Sequence, residues 1–206
     1  MIIEAILLTV FAYLVGSIST GVILSRIFGQ GNLQAEGSKN IGATNVSRLM
    51  GMKWGILTLV GDALKGMLVV WIGQWVFAGK GDQGFLFIAL MALAVFLGHI
   101  FPIFLGFKGG KGVATALGIF VLLGPKAILV ALPLFILVVL LGKYVSLGSI
   151  VAAGSFPVLM IIFSYQVYTV LLSLVIASAI IFKHKANILR LIKGEEKPWR
   201  SKKMSA

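Results

Sequence analysis

Three stretches of this 206-residue chain gather the donors that an anion needs. The first is Gly37-Ser38-Lys39-Asn40-Ile41-Gly42-Ala43-Thr44-Asn45-Val46-Ser47-Arg48. Its glycines let backbone N–H groups turn toward a ligand, its hydroxyl and amide side chains donate to oxygen, and Arg48 suits bidentate binding. The same segment also reads as a solvated loop with a helix cap at Thr44 or Asn45. The second stretch runs from Gly98-His99 through Gly106-Phe107-Lys108-Gly109-Gly110-Lys111-Gly112 to Thr115, a basic glycine-rich turn opening a helix. Helix N-termini of this kind attract anions through unpaired N–H groups and the helix dipole. It is not an ATP-binding P-loop, because Leu105 stands where the leading glycine belongs and Gly112 where the Ser or Thr belongs. The third is the basic tail from Lys183. There His184 and Asn187 share one helix face, and Ile188, Leu189, Leu191 and Ile192 form an apolar face that fits the membrane surface, with Trp199 at headgroup level. Ser146 and Ser149 either join the anion site or cap the helix they begin.

The elements that position these stretches must be membrane helices. The chain is 59% hydrophobic and 12% charged, with a mean hydropathy of +1.06, too apolar for a soluble domain of this length. Its 25 glycines imply close helix packing. Cysteine is absent, which excludes disulfides, thiolate metal sites and Cys nucleophiles. A net charge of +12 in so apolar a chain points to an anionic leaflet, and nucleic acid is not an expected partner.

Charge-free runs predict spans at Ala5–Ser25, Trp54–Ala78 and Gln83–Phe107. Gly112–Gly142 and Tyr144–Phe182 are each too long for one crossing, so they are split at Gly124-Pro125-Lys126 and at Ser164-Tyr165-Gln166. The expected fold is therefore an all-α integral membrane protein of about seven transmembrane helices, a single polytopic domain over residues 1–206, although five spans keep the same parity. Only Glu4 precedes the first span, so it is read as a mature helix and not a signal peptide. An outside N-terminus and a cytoplasmic C-terminus place 15 of the 18 Lys and Arg residues inside, as the positive-inside rule requires. The active face then comprises loops 29–53, 106–112 and 143–149 and the tail 183–206. Asp62 and Lys65, three apart inside the second span, read as a buried structural pair.

Segments 37–48, 98–115 and 187–199 together resemble the three motifs of the bacterial membrane acyl-phosphate:glycerol-3-phosphate acyltransferases, and the Asp62-Ala63-Leu64-Lys65-Gly66 element fits as well. The resemblance implies seven helices in the bacterial inner membrane and an active site on the cytoplasmic side. It implies transfer of a fatty acyl group from acyl phosphate to the 1-hydroxyl of glycerol 3-phosphate, giving lysophosphatidic acid and inorganic phosphate. The donor is then neither acyl-CoA nor acyl carrier protein, and a partner enzyme supplies the acyl phosphate. Carried onto this chain, the catalytic residues are Ser38, Lys111, His184 and Asn187. The substrate-binding residues are Asn40, Thr44, Asn45, Arg48, His99, Lys108, Gly109, Gly110, Ser149 and Arg190. No cofactor and no metal are expected.

Acyl phosphate is already activated, so a protein acting on it has chiefly to align the attacking hydroxyl and stabilise developing charge. The His-x4-Asp signature of other glycerol-phosphate acyltransferases is absent, since Phe104 stands where the Asp belongs. The proton acceptor is His99, His184 or a substrate phosphate oxygen. Two other classes compete with the enzyme reading: an anion carrier, whose site belongs near the midplane, and a membrane adaptor, which has no use for the Asn/Thr-rich and glycine-rich loops.

Overall fold

The computed structural model describes residues 1–29 and 32–199; residues 30–31 of the first predicted loop and 200–206 of the predicted tail lie outside the described residues. Among the described residues there are ten α-helices and no strand. In chain order they are α1 (Ile2–Ser17), α2 (Thr20–Ile27), α3 (Ala43–Met50), α4 (Met52–Phe77), α5 (Gly81–Ile100), α6 (Val113–Leu123), α7 (Pro125–Gly142), α8 (Val145–Ile162), α9 (Val167–Lys183) and α10 (Lys185–Ile192), with a 3-10 turn at Ile103–Leu105 after α5.

Each expected apolar segment is mainly helical, and both long runs break where the sequence placed the break. Pro125 starts α7, a position where its missing N–H costs nothing. Residues 163–166 separate α8 from α9, and the Gln166 side chain accepts from the Tyr168 N–H at 2.7 Å. Large apolar side chains including Trp75, Leu129, Leu141 and Phe182 face outward, an arrangement suited to lipid and not to water. The chain is an integral membrane protein with several spans.

Two segments differ from expectation. The first span is two helices bent by 43°, with Ile18 and Ser19 extended between them. Ser19 Oγ caps α2 by accepting from the Val22 N–H at 3.4 Å. The Gly16 and Ile18 carbonyls accept hydrogen bonds from Lys65 Nζ at 3.0 and 2.7 Å. Backbone freed inside a membrane must find such a partner. The other difference is α6. Its 11 residues span roughly 16 Å, about half of a ~30 Å hydrocarbon core. Among the described residues four helices are long and apolar enough to cross alone, and up to six spans result if each bent pair, α1 with α2 and α9 with α10, counts as one. The remaining expected crossing, the fourth in chain order, at α6, is thus a half-length helix.

Glycine sets the closest contacts. On α1 and α5, Gly16 lies against the Val95 backbone and Gly98 against the Tyr13 carbonyl; on α4 and α6, Gly66 lies against the Thr115 carbonyl and Gly118 against that of Ala63. A Cβ at any of these four runs into backbone, which cannot swing away. Gly118→Val is therefore expected to destabilise the fold by at least the ~1–3 kcal/mol of an overpacked core. Gly154→Ala, where the added carbon would meet only the Ile181 side chain at 4.0 Å, is expected to be neutral or slightly stabilising. Thermal unfolding of the two variants in detergent checks the contrast, and equal midpoints would contradict it.

Candidate active site

One end of the bundle holds a cavity of about 490 Å³ walled by α4, α6, α7, α8 and α9. Ten of the fourteen residues singled out in the sequence line it: Ser38, Asn40, Thr44, Asn45, Arg48, His99, Lys111, Ser149, His184 and Asn187. Segments more than a hundred residues apart in sequence therefore meet at one mouth. Three helices also begin there. The N-caps of α3, α6 and α8 are Gly42, Gly112 and Tyr144, none with a side-chain cap, and Ala43, Val113 and Val145 line the cavity. Uncapped first turns leave N–H groups unpaired, so three positive dipole ends point at the same space.

Four expected residues lie outside the lining. Lys108 is exposed, and its carbonyl accepts from Gln34 Nε2 at 2.9 Å. Gly109 packs on the His99 carbonyl and Pro102, and Gly110 on the His99 imidazole, with the Gly110 N–H donating to the His99 carbonyl at 3.1 Å. These two glycines fold the loop tightly over His99. Arg190 acts one layer out, donating from Nε to Glu196 Oε2 at 2.7 Å.

Position in the lining does not give every residue the same work. The Asn45 amide is spent on the loop itself: Oδ1 accepts from the Ser38 N–H at 2.8 Å, and Nδ2 donates to the Leu33 and Glu36 carbonyls at 3.1 and 3.2 Å. Asn40 Oδ1 accepts from the Gly42 N–H at 2.9 Å and shapes the approach to α3. Ser149 Oγ donates to the Val145 carbonyl of its own helix at 2.9 Å. Ser38, Thr44, Arg48, Lys111 and His184 bring hydroxyl, guanidinium, ammonium and imidazole groups to the same mouth.

Glu196 was not singled out from the sequence, yet it is the hub of the mouth. It accepts from Asn187 Nδ2 at 2.6 Å, Ser146 Oγ at 2.8 Å and Arg190 Nε at 2.7 Å. The Asn187 amide is oriented from both sides, because its Oδ1 accepts from Lys111 Nζ. Burial works to raise the Glu196 carboxyl, but the hydrogen bonds from Asn187, Arg190 and Ser146 outweigh it and hold the group below its ordinary value. Burial pushes the Lys111 ammonium down to about 8; the Glu196 carboxylate opposes that fall, while Arg190 and Arg48 add to it. The tail is strapped across the mouth by two further bonds, Arg48 Nη2 to the Lys197 carbonyl and the Trp199 N–H to the Lys143 carbonyl, each 3.0 Å. The only signal in sequence was an acidic pair, Glu195-Glu196, inside a strongly basic tail, and it does not say which member turns inward.

His184 Nδ1 lies 2.8 Å from the Ile180 carbonyl and donates to it, so that in the neutral ring Nε2 carries the lone pair. Deeper in the cavity, His99 Nδ1 has no hydrogen-bond partner and stands 3.8 Å from Asp62 Oδ1. Among the described residues no group of three or more His, Asp or Glu side chains is arranged to hold a metal ion.

Below this basic, amide-rich mouth the same cavity continues between apolar walls, among them Phe120, Leu132, Phe156 and Ile176. Fold and site together give a membrane protein in which one cavity joins a basic, amide-rich mouth to an apolar interior. The family model for glycerol-3-phosphate acyltransferase matches residues 6–194. Curated glycerol-3-phosphate acyltransferases from Geobacter sulfurreducens and Clostridioides difficile are 48% and 40% identical, the alignments covering 93% and 96% of this chain and 95% and 97% of theirs. The crystal structure of PlsY (YgiH), described as an integral membrane glycerol 3-phosphate acyltransferase, superposes in its glycerol 3-phosphate form with a TM-score of 0.88, at 38% identity and 95% coverage of both chains. Its lysophosphatidic acid form gives a TM-score of 0.86 at the same identity. The chain belongs to the glycerol-3-phosphate acyltransferase family.

Proposed function

We propose that this protein transfers a fatty acyl group from acyl phosphate to the 1-hydroxyl of glycerol 3-phosphate, releasing lysophosphatidic acid and inorganic phosphate. The observation that carries the reading is the single cavity whose mouth holds Lys111, Arg48 and three helix N-termini and whose interior is apolar. Both substrates present phosphate to such a mouth, and only the donor brings a chain for the interior. The relatives' glycerol 3-phosphate and lysophosphatidic acid forms agree with one substrate and one product of that reaction.

The hydroxyl oxygen bonds to the acyl carbon, the bond from that carbon to the phosphate oxygen breaks, and phosphate leaves. Lys111 and the N–H groups opening α6 stabilise the negative charge that develops on the carbonyl and leaving oxygens. His184, with an unprotonated Nε2, is one acceptor for the hydroxyl proton, and His99 and the departing phosphate are the others. The basic loops at this end of the bundle favour a cytoplasmic mouth in the bacterial inner membrane and an outside N-terminus, with an acyl-phosphate-producing enzyme upstream.

The test is phosphate release by the purified protein in lipid, given palmitoyl phosphate with and without glycerol 3-phosphate, beside palmitoyl-CoA. Release that needs glycerol 3-phosphate and yields lysophosphatidic acid is the expected result. Turnover with palmitoyl-CoA alone would overturn the donor assignment.

A further inference from the structure

We propose that the apolar extension of the cavity measures the acyl chain, with Phe120 and Phe156 forming the floor that sets the longest chain accepted. This inference rests on the acyl-phosphate reading above.

The lining turns from polar to apolar with depth along α8 and is mostly apolar along α9. Along α8 it passes from Ser146 and Ser149 through Ala152 and Ala153 to Phe156, and it ends there. Along the neighbouring α9 it passes from Ile180 through Ala177 and Ile176 to Ser173. Alanines at 131, 152, 153 and 177 keep the middle of the cavity open, because a methyl side chain fills so little of it. From Val145 to Phe156 the helix rises roughly 16 Å at ~1.5 Å per residue, close to half of a ~30 Å hydrocarbon core. The floor thus lies at the depth that one ordinary membrane acyl chain reaches.

The floor is a built feature. The Phe120 and Phe156 rings, from α6 and α8, pack with centroids 4.6 Å apart and planes tilted by 44°, and both are buried. Directly past them the fully buried Met160 fills the space beside Gly124, where a Cβ would stand 2.7 Å from its sulfur. Removing a ring therefore opens the floor onto a flexible thioether that can move aside. Each methylene that gains or loses a place in an apolar pocket changes discrimination by roughly tenfold or more.

The experiment compares lauroyl, palmitoyl and arachidoyl phosphates with wild type, Phe156→Ala and Ala153→Phe in lipid, reading glycerol 3-phosphate-dependent phosphate release as kcat/KM. Phe156→Ala is expected to raise the arachidoyl-to-palmitoyl ratio at least tenfold. Ala153→Phe, which blocks the cavity about three-quarters of the way down, roughly one helical turn above the floor, without removing core, is expected to lower the palmitoyl-to-lauroyl ratio by a similar factor. Ratios within one variant do not depend on how much of it is folded. A wild-type preference that neither variant moves, or no wild-type preference at all, overturns the gauge and leaves the transferase standing. Failure of wild type with all three acyl phosphates sinks the underlying reading instead.

Discussion

Lys111→Ala is expected to lower turnover by about 10²–10³-fold, the effect of removing one charged donor aimed at developing negative charge in an enclosed site. The side chain comes from the loop just before α6, is half-buried, and is bonded to Asn187, whose amide is fixed in turn by Glu196. Such a lysine arrives at the transition state already oriented. Its pH behaviour gives a readout that a purely structural role does not share. Only the ammonium stabilises phosphate or an oxyanion, and burial has brought it down to about 8. The charged fraction is complete well below that value and falls as pH rises through it, so kcat/KM is expected to decline on an alkaline limb near pH 8. Both substrate phosphates are already ionised there, their second pKa lying near ~6. Lys111→Arg keeps the charge at every accessible pH. That variant is expected to be slow, because a planar fork replaces a point donor, but to lose the alkaline limb. Retention of the limb in Lys111→Arg would assign it to another group.

How much of this was legible in the chain follows from the range of the forces involved. The breaks at Gly124-Pro125 and Ser164-Tyr165-Gln166 are written in local backbone chemistry, so reading along the sequence finds them. The break at Ile18 and Ser19 contains neither Gly nor Pro and is held open by Lys65, 47 residues from Ile18. Hydropathy sees an unbroken apolar run there. It also cannot show that α6 stops at half a span, because apolarity records the environment and not where the helix starts. His184 and Asn187 were legible because their residue types are rare in this chain, and Lys111 because it sits in a glycine-rich turn that opens a helix. Glu196 was not, since its role depends on meeting Ser146, 50 residues away. The glycines at 109 and 110 announced a tight turn, but that the turn closes over His99 depends on a contact made only in the fold.

The largest loss of stability is expected from Lys65→Met. Lys65 and Asp62 form an ion pair of 2.9 Å with almost no exposure, and breaking a buried pair from one side costs about 3–5 kcal/mol. Here the loss is compounded. Without the ammonium, the Gly16 and Ile18 carbonyls at the α1–α2 bend lose their donor, and Asp62 keeps only Thr20 Oγ1, a weak donor at 3.4 Å. Asp62→Asn removes less, because the amide oxygen still accepts from Lys65 while Lys65 retains both carbonyls; a loss of about 1–3 kcal/mol is expected. Combining the two substitutions removes the stranded carboxylate, so the double variant is expected to be more stable than Lys65→Met alone, though still below wild type because the bend remains unsatisfied. Thermal unfolding of the three variants in one detergent orders them. If Lys65→Met melted with wild type, Lys65 would have no part in holding the bend. The consequence reaches the site through packing. Asp62 stands beside His99, His99 supports Gly109 and Gly110, and these precede Lys111 and the start of α6. A chain that loosens at the bend is therefore expected to lose affinity for glycerol 3-phosphate before it unfolds, seen as a rise in KM at temperatures below the melting midpoint.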